Sequence, residues 1–228
     1  MTGSTRLPDA EPARRQGHRD GSPPRSLDAD REALRNALPR VVAEHGWAQT
    51  SPARLSLAAG IPPQEFWDHY RSLEHCFVEV YDRMLERVMR TAIRSVASRP
   101  LTLGAEAWQD QLDAIMTGVL AFFSVEPDLA KTCLVEVLEV GPTARARRED
   151  ALGQFASYVE GLRLTHGEPM PAVAAEMIAL GTTDLISKRV ANEEADELLE
   201  LLPELRQMWR ASVAEHREST RSTRAQHS

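Results

Sequence analysis

The segment of residues 50–70 constrains the fold most, because it holds two start signals for short helices on either side of a tight turn. Ser51 followed by Pro52 is typical of a helix N-terminus. The serine hydroxyl can accept a hydrogen bond from a free backbone N–H of the first turn, and the proline has no backbone N–H that would need a partner. Gly60 can adopt the positive φ of the turn, and Pro62-Pro63 starts the second helix. The pattern predicts a helix-turn-helix, whose second helix can lie in a DNA major groove.

The spacing of apolar residues supports this interpretation. Five apolar positions of the segment are spaced to face one small core, and a preceding helix, over about 28–45, carries apolar residues at i, i+4, i+7 and i+8. These residues are Leu55, Ala59, Ile61, Phe66 and Tyr70 in the segment and Leu34, Leu38, Val41 and Val42 in the helix. Pro39 lies inside this helix and lacks a backbone donor, so we expect it to kink the helix or delay its start.

The rest of the chain has the pattern of successive amphipathic helices. Ser72 is predicted to cap a long fourth helix, and the later helices are predicted over about 73–98, 105–123, 128–140, 143–164, 171–190 and 193–214. Pro203 lies inside the last of these and predicts a kink. The fold class is therefore all-α, with about nine helices. Residues 1–27 and 215–228 are polar and are predicted to be a disordered arm and a disordered tail.

The composition excludes several classes of protein. A formal net charge of -7 argues against a general polyanion binder, although a DNA-binding protein needs positive charge only on its docking face. No apolar run has the length of a membrane span and the N-terminus is polar, so we expect a cytoplasmic protein without a membrane partner. The sequence contains no phosphate-binding loop, nucleophile elbow or metal-binding histidine pair. We therefore expect no catalytic residues, no metal, no cofactor and no enzymatic activity.

Several short motifs carry a resemblance to a known family. They are Thr50-Ser51, Leu55-Ser56, Ala59-Gly60-Ile61, Phe66-Trp67-Asp68-His69-Tyr70 and Ser72-Leu73-Glu74. Over roughly residues 31–77 they resemble the DNA-binding domain of the TetR family of bacterial transcriptional regulators. The resemblance implies a three-helix helix-turn-helix domain over 28–73, joined by the long helix to an α-helical ligand-binding and dimerisation domain over 74–214.

The resemblance also implies which residues contact a double-stranded DNA operator. They are Thr50, Ser51, Arg54, Gln64, Glu65, Trp67, His69 and Arg71. Gln64 can read adenine and Glu65 can accept a hydrogen bond from cytosine N4, whereas His69 and Arg71 would reach the phosphate backbone. An alternative interpretation is that Glu65 and Asp68 form a solvated acidic face that repels phosphates.

In the body of the protein, the resemblance implies a pocket for a small hydrophobic effector among helices 4 to 8. The candidate lining residues are Met89, Trp108, Met116, Phe123, Phe155, Tyr158 and Met177. Side chains of these types are more often ordinary core. The last two helices would pair with their copies in a homodimer, through Gly181, Leu185, Leu198, Leu202, Leu205 and Trp209. The alternative is that these residues pack only within one chain.

These expectations lead to two functional hypotheses. The first is a ligand-responsive transcriptional regulator of the TetR type, most simply a repressor, that acts in the bacterial cytoplasm. The second is a TetR-like dimer with weak or lost DNA binding that serves as a ligand-binding or protein-interaction module. Leu73, Pro62 and the acidic residues of the third helix motivate the second. Leu73 stands where the family carries a lysine that contacts phosphate, and Pro62 stands where it carries a serine. A helical enzyme is a distant third possibility, since no cluster of catalytic groups is visible.

Overall fold

A computed structural model describes residues 26–98, 107–167 and 170–211 of the chain. Within these residues it contains helices and no strands, which confirms the predicted all-α class. The helices are α1 (Leu27–His45), α2 (Pro52–Ala59), α3 (the 3₁₀ turn Pro63–Glu65 continued by Phe66–His69), α4 (Leu73–Ala97), α5 (Ala107–Val125), α6 (Pro127–Ala130, Lys131–Glu136 and Val137–Val140 in one run), α7 (Pro142–Thr165), α8 (Ala172–Ala191) and α9 (the 3₁₀ turn Ala195–Leu201 continued by the α-helical residues 202–211). The predicted tail, and the predicted arm apart from its last two residues, lie outside the described residues.

The start and stop signals of the N-terminal helices act as predicted. The Ser51 hydroxyl accepts a hydrogen bond from the backbone N–H of Arg54 at 3.2 Å, and the Ser72 hydroxyl accepts one from that of His75 at 3.0 Å. Gly60 ends α2 in the left-handed conformation, with φ 71° and ψ 34°. This conformation is available to glycine without a steric cost, so the chain turns sharply from α2 into α3.

The N-terminal helices α1, α2 and α3 enclose a small core that α4 closes. Almost all of the apolar residues expected there are buried, namely Leu34, Leu38, Val41, Val42, Leu55, Ile61, Phe66 and Tyr70. Phe77 of α4 is fully buried beneath them, and the ring of Trp47 packs edge-on against it with 5.4 Å between the ring centroids. Because α4 belongs both to this head and to the body, it joins the two parts through one rigid element.

The structure bears on the expected effects of two prolines. Pro39 does not delay α1, which begins at Leu27 and runs through the proline, and its carbonyl accepts a hydrogen bond from the Thr132 hydroxyl at 3.1 Å. Pro203 lies in the first turn of the α-helical part of α9, which follows a 3₁₀ turn. At this position a missing N–H leaves no intrahelical bond unmade, so the proline marks the start of a helix rather than a kink inside one.

The middle of α6 is not a regular α-helix. Residues Lys131–Glu136 form a π-helix between two α-helical turns, whereas the apolar pattern predicts one regular helix here. A π-helix is wider and accommodates an extra residue in the turn, and such turns occur frequently at functional sites. In this protein the π-helix packs against both α1 and α8.

In the body, α4 packs along α5, α7 packs along α8, and α9 lies against α5 and α8. Gly118 of α5 allows α4 to approach closely, because a Cβ atom at this position would overlap Oγ of Ser95 and would lie 3.2 Å from the Cβ of Ser95 and 3.3 Å from Cγ2 of Thr91. None of the described helices is both long and apolar enough to cross a membrane.

Candidate DNA-binding surface and effector cavity

The helix-turn-helix presents α3 to solvent on a buried base. Phe66 and Tyr70 point into the core of the head, whereas Gln64, Glu65 and Trp67 are exposed. The side chain of Trp67 is 58% exposed and packs edge-on against Phe66, with 5.2 Å between the ring centroids. The short helix therefore has one face that fixes its position and another that is free to meet a partner.

Most of the residues predicted to contact DNA lie on this exposed side. Ser51 and Arg54 are exposed at the start of α2, Arg71 is exposed just after α3, and His69 is half-buried. Thr50 is the exception, because it is buried and its hydroxyl donates a hydrogen bond to the Gly46 carbonyl at 2.9 Å. The expectation that Thr50 faces a duplex is therefore corrected: this side chain closes the turn after α1 instead.

The charges of this surface nearly cancel. Arg54 and Arg71 are opposed by Glu65 and Asp68, and all four side chains are exposed. Since phosphate contacts by cationic side chains supply much of the affinity of DNA-binding proteins, this surface offers only a modest electrostatic attraction. Any recognition of a sequence would depend more on hydrogen bonds to base edges and on the packing of Trp67.

Glu79 of α4 holds the head together through several charged hydrogen bonds. Its carboxylate accepts bonds from the Tyr70 hydroxyl at 3.0 Å and from Arg35 at 3.1 Å, and it also pairs with Arg31. Burial by itself would raise the pKa of Glu79, but the bonds from Arg31, Tyr70 and Arg35 outweigh it and hold the pKa below its ordinary 4.5. Residues from α1, the end of α3 and α4 are therefore fixed to one another by a single carboxylate.

A cavity of about 510 Å³ lies in the body, enclosed by residues of α4, α5, α6, α7 and α8. Its wall is mostly apolar, and its size is within the range typical of ligand-binding pockets. Five of the seven residues that the sequence predicts as pocket residues line it, namely Met89, Met116, Phe123, Phe155 and Tyr158. Gln111 donates a hydrogen bond to the Tyr158 hydroxyl at 3.4 Å, so the wall also contains a few polar groups.

Trp108 and Met177 do not line this cavity, and the prediction for them is corrected. Trp108 is buried in the core, where the Arg163 guanidinium lies over its ring at 4.5 Å from the centroid. Met177 lies on the outer side of α8 and is 64% exposed. Both side chains have the right chemistry for a pocket, but the helix rotation that decides which way they point depends on packing partners far away in sequence.

Sequence reasoning missed most of the cavity wall, and three of the missed residues bear on its chemistry and its contacts. Cys133 and Leu134 come from the π-helix of α6, and Arg148 comes from α7. A signal for Arg148 was present in the sequence, because it lies four residues before Leu152 and seven before Phe155, and such spacing places all three on one face of a helix.

The π-helix of α6 contacts both the cavity and the head. Cys133 and Leu134 line the cavity, while Thr132 and Glu136 bind the head. The Glu136 carboxylate accepts a hydrogen bond from the backbone N–H of Trp47 at 2.8 Å. A movement of the cavity wall would therefore reach the head through side chains that are only one to three residues apart.

A second contact between head and body involves the start of α7. Glu74, in the first turn of α4, accepts hydrogen bonds from the backbone N–H groups of Thr143 at 2.8 Å and Ala144 at 3.3 Å. A carboxylate is favourable at a helix N-terminus, because it pairs with free N–H groups and with the positive end of the helix dipole. The N-terminal turn of α4 is thus fixed to the body as well as to the head.

The residues predicted to form a dimer interface are mostly buried within one chain. Leu198, Leu205 and Trp209 lie in the core, and the indole N–H of Trp209 donates to the Thr182 hydroxyl at 3.2 Å, so the expectation that these three contact a second copy is corrected. Gly181, Leu185 and Leu202 are half-buried. The exposed apolar residues of α8 are instead Val173, Met177 and Leu180, at 60%, 64% and 52%, which follow one another at i, i+4 and i+7 along one face.

Among the described residues, no group of three or more histidine, cysteine, aspartate or glutamate side chains is arranged to hold a metal ion. Cys76 and Cys133 are both buried and unpaired, and burial raises the pKa of the Cys76 thiol to about 12. These cysteines pack as small apolar side chains.

No protein-family model matches the sequence. No curated protein matches it either. Solved structures do match the fold. A transcriptional regulator, FadR from Bacillus subtilis in complex with stearoyl-CoA, has a TM-score of 0.65 at 14% identity, with 78% of this chain and 96% of that chain covered.

Two further structures have the same arrangement of helices. A TetR transcription regulator from Haloarcula marismortui has a TM-score of 0.59 at 18% identity, with 82% of this chain and 98% of that chain covered. A TetR-family repressor, FadR from Thermus thermophilus in complex with lauroyl-CoA, has a TM-score of 0.50 at 16% identity, with 75% and 92% covered. The chain therefore has the fold of the TetR-family transcriptional regulators.

Proposed function

We propose that this protein is a DNA-binding transcriptional regulator, most simply a repressor, that acts in the bacterial cytoplasm. Its affinity for its operator would depend on a small effector. The observation that carries the proposal is that one element, α6, contacts the cavity through Cys133 and Leu134 and the head through Thr132 and Glu136. An exposed α3 on a buried base supplies the DNA-binding surface.

We propose further that the active form is a homodimer. The apolar stripe of Val173, Met177 and Leu180 on α8 would lie against the same stripe of the second protomer. Three half-buried residues adjoin this stripe in the chain or lie on the neighbouring helix, namely Gly181 and Leu185 of α8 and Leu202 of α9. A two-fold dimer places two α3 helices in successive major grooves on one side of a duplex, with half-sites roughly 34–36 Å apart. The operator would therefore be a palindrome.

The effector would be a molecule with a large apolar part. The wall of the cavity is mostly apolar, and its volume of about 510 Å³ suits a small organic molecule. Two regulators with the same fold were solved in complex with stearoyl-CoA and lauroyl-CoA, which supports an acyl chain as the apolar part. The effector would act by binding, in the cavity, two conformations of the protein with different affinities, one of which holds the heads in the DNA-binding arrangement.

Selection of bound sequences from random double-stranded DNA with the full-length protein tests the proposal. We expect enrichment of a palindrome, and an affinity for it that falls linearly with the logarithm of salt concentration. Arg71→Gln should weaken binding to all sequences and reduce the salt slope by about one per protomer, whereas Arg94→Gln, on the far end of α4, should change neither. No enriched sequence together with no salt-dependent binding would reject the proposal.

A second candidate function is a TetR-like dimer that binds a ligand or a protein and no longer binds DNA tightly. The specific observation in its favour is the near cancellation of charge between Arg54, Arg71, Glu65 and Asp68 on the α3 surface. The same selection experiment separates the two, because the second candidate predicts ligand binding in the cavity without an enriched sequence.

A further inference from the structure

Arg148 is the one charged residue among the described residues that line the cavity. It lies on α7, in the same wall as Leu152 and Phe155, and no aspartate or glutamate is present in that lining. Its Nε atom is buried and has no hydrogen-bond partner, and the side chain forms no ion pair with any described residue. The wall of the cavity is thus mostly apolar and carries one positive charge that no acidic side chain of the lining neutralises.

The neighbouring arginine shows how such side chains are normally accommodated here. Arg147, the preceding residue on α7, binds the Asp82 carboxylate through Nε at 2.9 Å and through its terminal nitrogen at 2.6 Å. A buried guanidinium N–H without a partner costs free energy, because it has lost water and gained nothing in exchange. Arg148 therefore occupies a position that becomes favourable when an acceptor enters the cavity.

The surroundings of Arg148 suit one end of an elongated molecule. The buried Tyr81, whose pKa burial raises to about 12, lies close enough for its hydroxyl to interact electrostatically with Arg148. This phenol stays protonated at neutral pH and can donate a second hydrogen bond to an anion. Beyond these two groups the wall consists mainly of methionine, leucine, valine, isoleucine, alanine and phenylalanine side chains.

We propose that Arg148 binds the carboxylate of the effector, and that the effector is an amphipathic organic acid whose apolar part fills the cavity. A guanidinium pairs with a carboxylate through two parallel hydrogen bonds, which fixes both the position and the orientation of the acid. This inference rests on the proposed function only in taking the cavity as the effector site. The acid is a free carboxylate rather than an acyl-CoA, because an acyl chain lying in the cavity would bring a neutral thioester to Arg148, with the coenzyme A phosphates many bonds further away.

Binding of dodecanoate to the full-length protein, measured by isothermal titration calorimetry without DNA, tests this inference. The probes are dodecanoate, dodecanol with the same chain length and no charge, and lauroyl-CoA. For the wild-type protein we expect dodecanoate to bind at least tenfold more tightly than dodecanol. Arg148→Gln should weaken dodecanoate binding roughly tenfold to a hundredfold and leave dodecanol binding within about twofold.

Retained dodecanol binding in Arg148→Gln also verifies that the variant keeps a folded cavity. The matched control is Arg147→Gln, which removes a positive charge one residue away outside the cavity lining and should change dodecanoate binding by less than about threefold. Arg148→Lys should retain part of the affinity, because a lysine keeps the charge but not the two parallel bonds.

Three results would overturn the inference. One is equal affinity of the wild-type protein for dodecanoate and dodecanol, or no binding of either. Another is a dodecanoate affinity that does not change in Arg148→Gln. The third is tight binding of lauroyl-CoA that Arg148→Gln weakens while dodecanoate does not bind, which would assign the anion to a coenzyme A phosphate. Because none of these measurements includes DNA, failure of the regulatory proposal would appear separately in the operator selection.

Discussion

Glu136 on α6 accepts a hydrogen bond from the backbone N–H of Trp47 at 2.8 Å, which joins two residues 89 positions apart in the chain. Trp47 begins the short turn that follows α1, and its ring packs on Phe77 in the core of the head. Glu136 is the last residue of the π-helix that also supplies Cys133 and Leu134 to the cavity wall. One carboxylate therefore couples the position of the cavity wall to the position of the head.

Replacing this carboxylate should destabilise the protein. Glu136→Ala leaves the Trp47 N–H without its partner, and we expect a loss of about 1–2 kcal/mol in the free energy of unfolding, measured with urea. Glu136→Gln should cost less, since an amide oxygen can still accept the bond. Glu139→Ala, at an exposed position of the same helix, is the control and should stay within about 0.5 kcal/mol of the wild type. Equal stability of Glu136→Ala and the control would show that this hydrogen bond does not stabilise the contact between the head and the body.

The carboxylate of Glu79 should make the stability of the head depend on acid pH. Its folded-state pKa lies below the ordinary 4.5, so its contribution is fully present above about pH 4.5 and is lost as the pH falls through the folded-state value. We expect Glu79→Gln to be less stable than the wild type at neutral pH, and this difference to shrink as the pH is lowered below 4.5. Urea unfolding over this pH range measures the difference.

Glu86→Gln is the control for this experiment, because Glu86 is an exposed glutamate of the same helix. Its stability difference from the wild type should be small at every pH. A Glu79→Gln variant whose deficit stays constant down to acid pH would show that the carboxylate charge is not what stabilises the head.

The close approach of α4 and α5 should depend on Gly118. A methyl group there would overlap Oγ of Ser95 and would lie 3.3 Å from Cγ2 of Thr91, so we expect Gly118→Ala to lower the free energy of unfolding by about 1–3 kcal/mol. Gly153 of α7 is the matched control, because a Cβ atom there would meet nothing within 4 Å. Gly153→Ala should stabilise the helix by about 0.5–1 kcal/mol. Thermal and urea unfolding of the two variants should therefore change in opposite directions.

The exposed stripe on α8 should decide the oligomeric state. Met177→Glu places a charge in the middle of Val173, Met177 and Leu180, and burying it against a second copy would be costly. We expect this variant to sediment as a monomer at concentrations at which the wild type is a dimer. Leu57→Glu, at a residue of the head that is 71% exposed, is the control and should leave the dimer intact. A dimer that tolerates Met177→Glu would exclude this face as the interface.

The amino-acid sequence determined the local features of this protein. Ser51, Gly60 and Ser72 act on groups within four residues of themselves, so the bounds of α2 and the start of α4 follow from the residues present there. The apolar repeats in α1 have the same character, because helix periodicity alone decides that Leu34, Leu38, Val41 and Val42 share a face.

The tertiary structure alone decided which of these faces meet. Thr50 is buried rather than facing DNA, Trp108 lies in the core rather than in the cavity wall, and Leu198 and Trp209 are buried within one chain. For Trp108, Leu198 and Trp209 the reason is packing against residues that are distant in sequence. The π-helix of α6 and the position of Arg148 in the cavity wall also depend on the tertiary structure. Both features arise where several helices enclose one cavity, because the rotation of each helix about its axis is set by the packing of all its neighbours together.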